Sequence, residues 1–227
     1  MNTLTSSWDA IKHAIPAELL DKSGKVFYSG RAAFSGKKSL YILGLNPGGD
    51  PEKLGNDSIE AHTEWVSTTA PEVWSAYRDE RWMGKEPGCH GLQPRLLHMF
   101  RSVGLQPGAV PSSNLVFVRS RRETGIKSAF EQLANLSWPF HRFVIEALGP
   151  KVILCLGRSA GDYVRRQTGA LQPYAVFTEH NNRRWQSTAY RSVHGLKVIV
   201  ATHPSVADWT AAQTDPTALV RDALNDA

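Results

Sequence analysis

Leu40-Tyr41-Ile42-Leu43-Gly44-Leu45-Asn46-Pro47-Gly48 is the stretch on which the fold turns. Four apolar residues follow one another without a polar interruption and stop at a turn. A strand that is apolar at every position is buried on both faces, the habit of a parallel sheet covered by helices. Pro47 and Gly48 end it abruptly. The same plan recurs at Val198-Ile199-Val200-Ala201-Thr202, which stops at His203-Pro204-Ser205. Four buried parallel strands are expected in all: Ser39 to Gly44, Asn114 to Arg119, Lys151 to Gly157 and Lys197 to Thr202.

Helical patterns lie between these runs. Leu92 to Val103 carries Leu96, Leu97, Phe100 and Val103 on one face. Trp138 to Leu148 carries Phe140, Phe143, Val144 and Leu148 and ends at Gly149-Pro150, a stop signal. Ser159 to Gln167 follows Gly157 directly. In Asp215 to Leu224, Asp215 suits the cap and Pro216 the first helical position. Strand–helix–strand alternation predicts right-handed crossovers. At the amino end, Ser6 to Asp21 reads as a helix with Pro16 as its break, and Val26 to Phe34 as a short hairpin interrupted at Gly30. The polar interval from Asp50 to Gly91 holds Trp65, Trp74, Tyr77 and Trp82. A loop of that length reads as one or two short helices over a pocket mouth.

The chain has 227 residues, enough for one sizeable α/β domain, and 41% of them are apolar. No run approaches the roughly 20 apolar residues of a membrane span, and no signal peptide is read. Two cysteines, Cys89 and Cys155, are too few for a disulfide framework or a thiolate cluster. A reducing cytoplasm fits. The net charge of +5 is compatible with a phosphate-rich partner. Arg119, Arg121, Arg122 and Lys127 follow one strand, Arg158, Arg165 and Arg166 lie on the next helix, and Arg183 and Arg184 sit in a loop. Solvated surface charge is the plain reading; clustering after strand tips favours a DNA-facing one.

In open α/β sheets, ligands bind outside the carboxyl ends of the strands. Asn46 and His203 are therefore expected on opposite sides of one pocket at that edge. Each motif also has a plain structural reading. Asn-Pro-Gly is a good turn, His-Pro-Ser a helix entry capped by serine, and Gly157 a point of close packing.

Taken together and in this order, four segments resemble the uracil-DNA glycosylase superfamily over about Leu40 to Trp209. Gly44-Leu45-Asn46-Pro47-Gly48 resembles the first motif of the mismatch-specific and single-strand-selective branches, with Asn where the best-known branch has Asp. His203-Pro204-Ser205 resembles the second motif. Val152 to Ala160 resembles the strand with a Leu-Gly-x-x-Ala ending, and Val116-Phe117-Val118-Arg119-Ser120 the strand that ends in a base-reading Asn. The resemblance implies a base flipped from the stack, a water held by Asn46, and a neutral His203 donating to the departing base oxygen. Asn cannot take the water's proton as a carboxylate can. It implies a base pocket at Gly44, Leu45, Pro47, Gly48, Arg119 and Ser120, and DNA contacts from Ser205, Val206, Trp209, Arg121, Arg122 and Arg158, with Val206 or Trp209 as wedge. On this alignment Ser120 replaces the reading Asn, so uracil loses its special status. No stacking aromatic stands at the usual position; Trp65, Trp74, Trp82 and His90 are the candidates.

The expectation is thus an α/β fold, a three-layer α/β/α sandwich on a central four-stranded parallel sheet. Residues 1–37 form an N-terminal helical extension packed on the domain, and 38–227 the glycosylase-like domain. The expected activity is monofunctional base excision by a monomer acting on DNA, without metal or other cofactor. No lysine stands at a strand tip for lyase chemistry. The rival is a superfamily member that binds DNA or a modified base without turnover. A Gly-x-Ser-x-Gly hydrolase elbow, a P-loop and a Gly-x-Gly-x-x-Gly fingerprint are all missing from the sequence.

Overall fold

Six strands make one sheet in the computed structural model, which describes residues 8–52 and 57–226. They are β1 (Leu40–Gly44), β2 (Ser112–Asn114), β3 (Val152–Leu156), β4 (Gln172–Thr178), β5 (Gln186–Arg191) and β6 (Lys197–Ala201). Their spatial order is β2-β1-β3-β6-β5-β4. The first four run parallel. β5 is antiparallel to β6, and β4 to β5.

The α/β class is as expected. The wholly parallel four-stranded sheet is not, because the β4–β5 hairpin extends it and makes it mixed. β4 is the outer strand and largely wet, with Val176 52% and Tyr174 38% exposed. Its short apolar run, Tyr174-Ala175-Val176-Phe177, directly follows Pro173 and is exposed or half-buried rather than buried on both faces, unlike the runs of the parallel strands. Its register shifts between Pro173 and Ala175, and proline is tolerated at such edges.

The helices are α1 (Trp8–His13), α2 (Ile59–Thr68), α3 (Ala76–Asp79), α4 (Gln93–Ser102), α5 (Phe130–Leu148), α6 (Arg158–Thr168) and α7 (Thr217–Asn225). Strand side chains alternate between two cores, as period-two geometry requires. Tyr41, Leu43, Ile153, Cys155 and Val198 meet Phe140 and Val144 of α5 and Tyr163 and Val164 of α6. Leu40, Ile42, Leu154 and Ile199 meet Leu96 and Phe100 of α4 and Val220 and Ala223 of α7. Both faces are covered, which is why these strands are apolar throughout. Among the described residues no helix is long and apolar enough to cross a membrane.

The amino-terminal segment belongs to the first core through Ile11, Ile15, Leu19, Phe27 and Phe34. The expected start of its helix, residues 6 and 7, lies outside the described residues. Its continuation breaks around Pro16 into a 3-10 turn at Ala17–Leu19. The expected hairpin over 26–34 is replaced by isolated bridges, Ser23 to Ser58, Gly24 to Val118 and Ser29 to Ser75, followed by a 3-10 turn at Arg31–Phe34. A side chain at Gly24 would overlap the Phe117 carbonyl, so a glycine is needed where the two segments meet.

β2 also departs from expectation. The apolar run predicts a strand from Asn114 to Arg119, yet the ladder ends at Asn114, the register partner of Gly44. Beyond it the chain still follows the end of β1, through Leu115 N to Gly44 O at 2.9 Å, Val116 N to Leu45 O at 2.9 Å and Ser120 N to Pro47 O at 3.1 Å. α5 begins at Phe130, well before the expected Trp138, and carries Pro139 in its interior. α7 starts just after its expected cap, where Asp215 Oδ1 accepts from Thr217 N at 2.9 Å.

Candidate active site

The parallel strands deliver their C-terminal ends to one edge of the sheet. Asn46 follows β1 and His203 follows β6, with β3 between them. Two strand spacings put these tips about 10 Å apart. Gly157, at the end of β3, has φ +100°. A Cβ there would lie 3.4 Å from His203 Cδ2. The neighbouring tip thus supports the imidazole from below, in a conformation that glycine alone adopts readily.

Asn46 is held by its amide nitrogen. Nδ2 donates to Ser120 Oγ at 2.9 Å, Pro47 O at 3.0 Å and Val118 O at 3.3 Å. Two of these partners are carbonyls, which settles the amide's orientation. Oδ1 is then the atom Asn46 offers to a ligand or water. Ser120 Oγ passes its own proton to Arg122 O at 2.8 Å. Buried and spent in this way, Ser120 is a support for Asn46, not the base-pocket contact expected of it.

Arg119 departs from expectation in the same sense. It is 8% exposed. It donates to Gly48 O at 2.6 Å and pairs with the Asp57 carboxylate. It pins the Asn-Pro-Gly turn, and its guanidinium is engaged by protein groups. Of the other pocket candidates, Leu45 packs against the first core and Pro47 is buried. Gly48 is exposed, with open space where a Cβ would stand. A Cβ on Gly44 would overlap the Asn114 amide oxygen, so that glycine makes room for Asn114. The Asn114 side chain hydrogen-bonds the Tyr28 hydroxyl.

His203 has a defined tautomer. Ser205 N donates to Nδ1 at 3.0 Å, and Ser205 Oγ lies 2.7 Å from the same atom. An acceptor at Nδ1 leaves the proton on Nε2. Burial pushes the imidazole down to about 4; the Glu123 carboxylate opposes this and Arg95 adds to it. The ring is neutral at physiological pH and donates from Nε2. Glu123 stands on a 3-10 turn, Glu123–Gly125, where Ser159 Oγ at the start of α6 donates to it.

The expected DNA contacts divide. Trp209 is fully buried and donates to Thr202 O at 3.1 Å, so it is core and not a wedge. Ser205 is spent on His203. Val206 is 53% exposed. Arg122 is exposed, as is Arg121, which pairs with Asp50 at 2.5 Å. The Arg158 side chain is 90% exposed although its Nε lies 3.2 Å from Asp162. Of the aromatic candidates, Trp74 is buried and Trp82 donates to Glu80 Oε2 at 2.7 Å. His90 is half-buried. Trp65 is 36% exposed and lines a cleft of about 320 Å³ with Lys25, Asp57, Ala61, His62 and Glu80. A second cleft, of about 480 Å³, lies between Arg78 and Phe100. Neither includes Asn46 or His203. Among the described residues no three His, Cys, Asp or Glu side chains are grouped to hold a metal.

Three features escaped the sequence reading. Asn114 was passed over because the strand end was placed by the apolar run rather than by register with β1. Glu123 carried no local signal, since its partners Ser159 and His203 are distant in sequence. The β4–β5 hairpin had two cues, the short apolar run Tyr174-Ala175-Val176-Phe177 and the turn-forming Asn181-Asn182. No protein-family model matches the chain, and no curated protein matches it.

Proposed function

We propose that the protein is a monofunctional DNA glycosylase of the uracil-DNA glycosylase type, hydrolysing the N-glycosidic bond of a deaminated, damaged or modified base flipped out of DNA. The observation that carries this reading is the neutral His203, with its proton on Nε2, on the same edge as an Asn46 whose Oδ1 is free to accept. As the bond to the base breaks, charge grows on the base oxygen and on the sugar. A preorganised donor at the base oxygen is worth about 2.7–4 kcal/mol in comparable settings. Asn46 Oδ1 orients a water for attack at the anomeric carbon but takes no proton from it. Glu123, whose carboxylate acts on His203, is the group proposed to accept the water's proton.

The resemblance puts the base-reading amide at the position that Ser120 occupies. Asn114 ends β2 opposite Gly44, 7% exposed and engaged with the Tyr28 hydroxyl, and is no better placed to reach a base. With Ser120 committed to Asn46 and Arg122, that position offers no paired contact to single out uracil, so uracil is not expected to be the uniquely preferred base. Uracil and larger substituted bases are the substrates to compare first. Binding without turnover is the second reading, favoured by the lack of a proton-accepting group at Asn46.

Oligonucleotides carrying different modified bases, scored for abasic sites, test the proposal. Asn46→Ala and His203→Ala are each expected to slow release by roughly 10²–10³-fold while the protein remains folded, Asn46→Ala losing about 1–3 kcal/mol with its three hydrogen bonds. Equal release by the wild type and both variants ends the reading. DNA binding with no release of any base leaves the second.

A further inference from the structure

The β4–β5 hairpin sets its tip on the edge that carries His203. β5 pairs antiparallel with β6, Thr188 opposite Val200. The start of β5 is therefore level with the end of β6, and Thr202 N donates to Ser187 Oγ at 2.9 Å. The tip, residues 179–185, projects beside the loop that follows His203.

This tip is built, not loose. Glu179 is 1% exposed, and both its oxygens accept from Arg183 Nη2, at 3.2 and 3.0 Å. Arg183 Nη1 donates to Val206 O at 2.7 Å, joining the hairpin to the His203 loop. The Arg183 guanidinium lies over the Trp185 ring, 4.2 Å from its centroid. Asn181 Oδ1 accepts from Arg183 N at 3.0 Å and Arg184 N at 3.3 Å. Arg184 has φ +53°, a left-handed conformation that non-glycine residues hold only under constraint. The result is an oriented aromatic ring, 45% exposed, beside Val206, 53% exposed, with the exposed Arg184 next to it.

An aromatic face backed by a cation and flanked by a second arginine is the surface on which unpaired bases stack while a phosphate is neutralised. A duplex keeps its base faces covered by their neighbours and cannot use it. We propose that this hairpin tip is a docking ledge for single-stranded DNA. A base flanking the reacting nucleotide stacks on Trp185, Arg184 meets its phosphate, and Val206 packs beside it. The ledge makes the protein prefer unpaired DNA. The inference takes from the proposed function only that this edge meets DNA.

The test is the affinity for an unmodified labelled oligonucleotide, as a single strand and as a duplex, by fluorescence anisotropy over a salt series. The wild type is expected to bind the single strand more tightly. Trp185→Ala should weaken single-strand binding roughly 5- to 100-fold and leave the duplex within about twofold. Trp185→Phe, which keeps a stacking face, should recover most of the loss. Arg184→Ala should lower the slope of log affinity against log salt by roughly 0.7. An unfolding midpoint within about 2 °C of wild type shows that the exposed substitutions leave the fold intact. A wild type that prefers duplex, a Trp185→Ala variant that binds single strands normally, or an equal loss on both DNAs overturns the ledge and leaves the tip as a protein-docking surface. Base release is scored separately. Trp185-dependent single-strand binding without release from any base removes the glycosylase reading and keeps the ledge; release with Trp185-independent binding removes the ledge alone.

Discussion

Glu123 is the residue whose role turns most on where the chain folds. Its carboxylate accepts from Ser159 Oγ and acts electrostatically on His203. Glu123→Gln keeps an oxygen for Ser159 and removes the charge. If Glu123 takes the water's proton, single-turnover base release should fall roughly 100-fold, with substrate affinity little changed. An unaltered rate would reduce Glu123 to a structural partner of α6. His62 poses the opposite case. It is 7% exposed, and both ring nitrogens are buried without a hydrogen-bond partner. It packs against Trp65 and Trp74, at centroid distances of 5.7 and 6.1 Å. His62→Phe keeps the ring contacts and deletes two desolvated polar atoms, so it should raise stability by about 1–2 kcal/mol. A urea midpoint that drops instead would show that the nitrogens have work to do. At this scale Asn46 and His203 were legible because each closes an apolar run. Ser120 and Arg119 were misread because a hydrogen-bonded support and a ligand contact look alike in sequence.

At the level of elements, the approach of α6 to β6 decides the geometry under His203. Gly161 faces Val200, and a Cβ there would meet its side chain at 2.5 and 2.6 Å. Helix propensity alone would favour alanine by about 1 kcal/mol. Overpacking wins, because a packed interface yields only by moving the helix. Gly161→Ala should destabilise by about 1–3 kcal/mol and slow base release by shifting Gly157 under the imidazole. Adding Val200→Ala should recover much of the stability, a coupling read by a double-mutant cycle in urea. Additive losses would mean that the helix never met Val200. α4 was readable from its apolar face, α6 from its place directly after Gly157, and α7 from its cap residue and proline. The wet strand β4 and the early start of α5 were not, because edge exposure and tertiary contact set them.

For the molecule as a whole, three histidines kept neutral by burial set the acid limit. His62 is pushed down to about 3, and His141 and His203 to about 4, from an ordinary 6.5. Below pH 6.5 the unfolded chain takes up protons that the folded chain refuses. Stability is therefore full above that value and falls as pH drops toward 4, by at most about 1.4 kcal/mol per pH unit for each histidine. Urea midpoints should decline steeply from pH 7 to pH 5, and less steeply in His62→Phe. A flat profile would mean that these rings are protonated in the native state. The amino-acid sequence alone determined the α/β class, the parallel strands β1, β3 and β6 and the two motifs at the tips of β1 and β6, because burial on both faces writes a continuous apolar run and a turn residue closes it. Only the tertiary structure decided that Asn114, not Ser120, ends β2. It alone brought Glu123 to His203 and set an aromatic hairpin beside them. Those placements depend on strand register and on contacts between residues far apart in the chain, and neither leaves a local pattern to read.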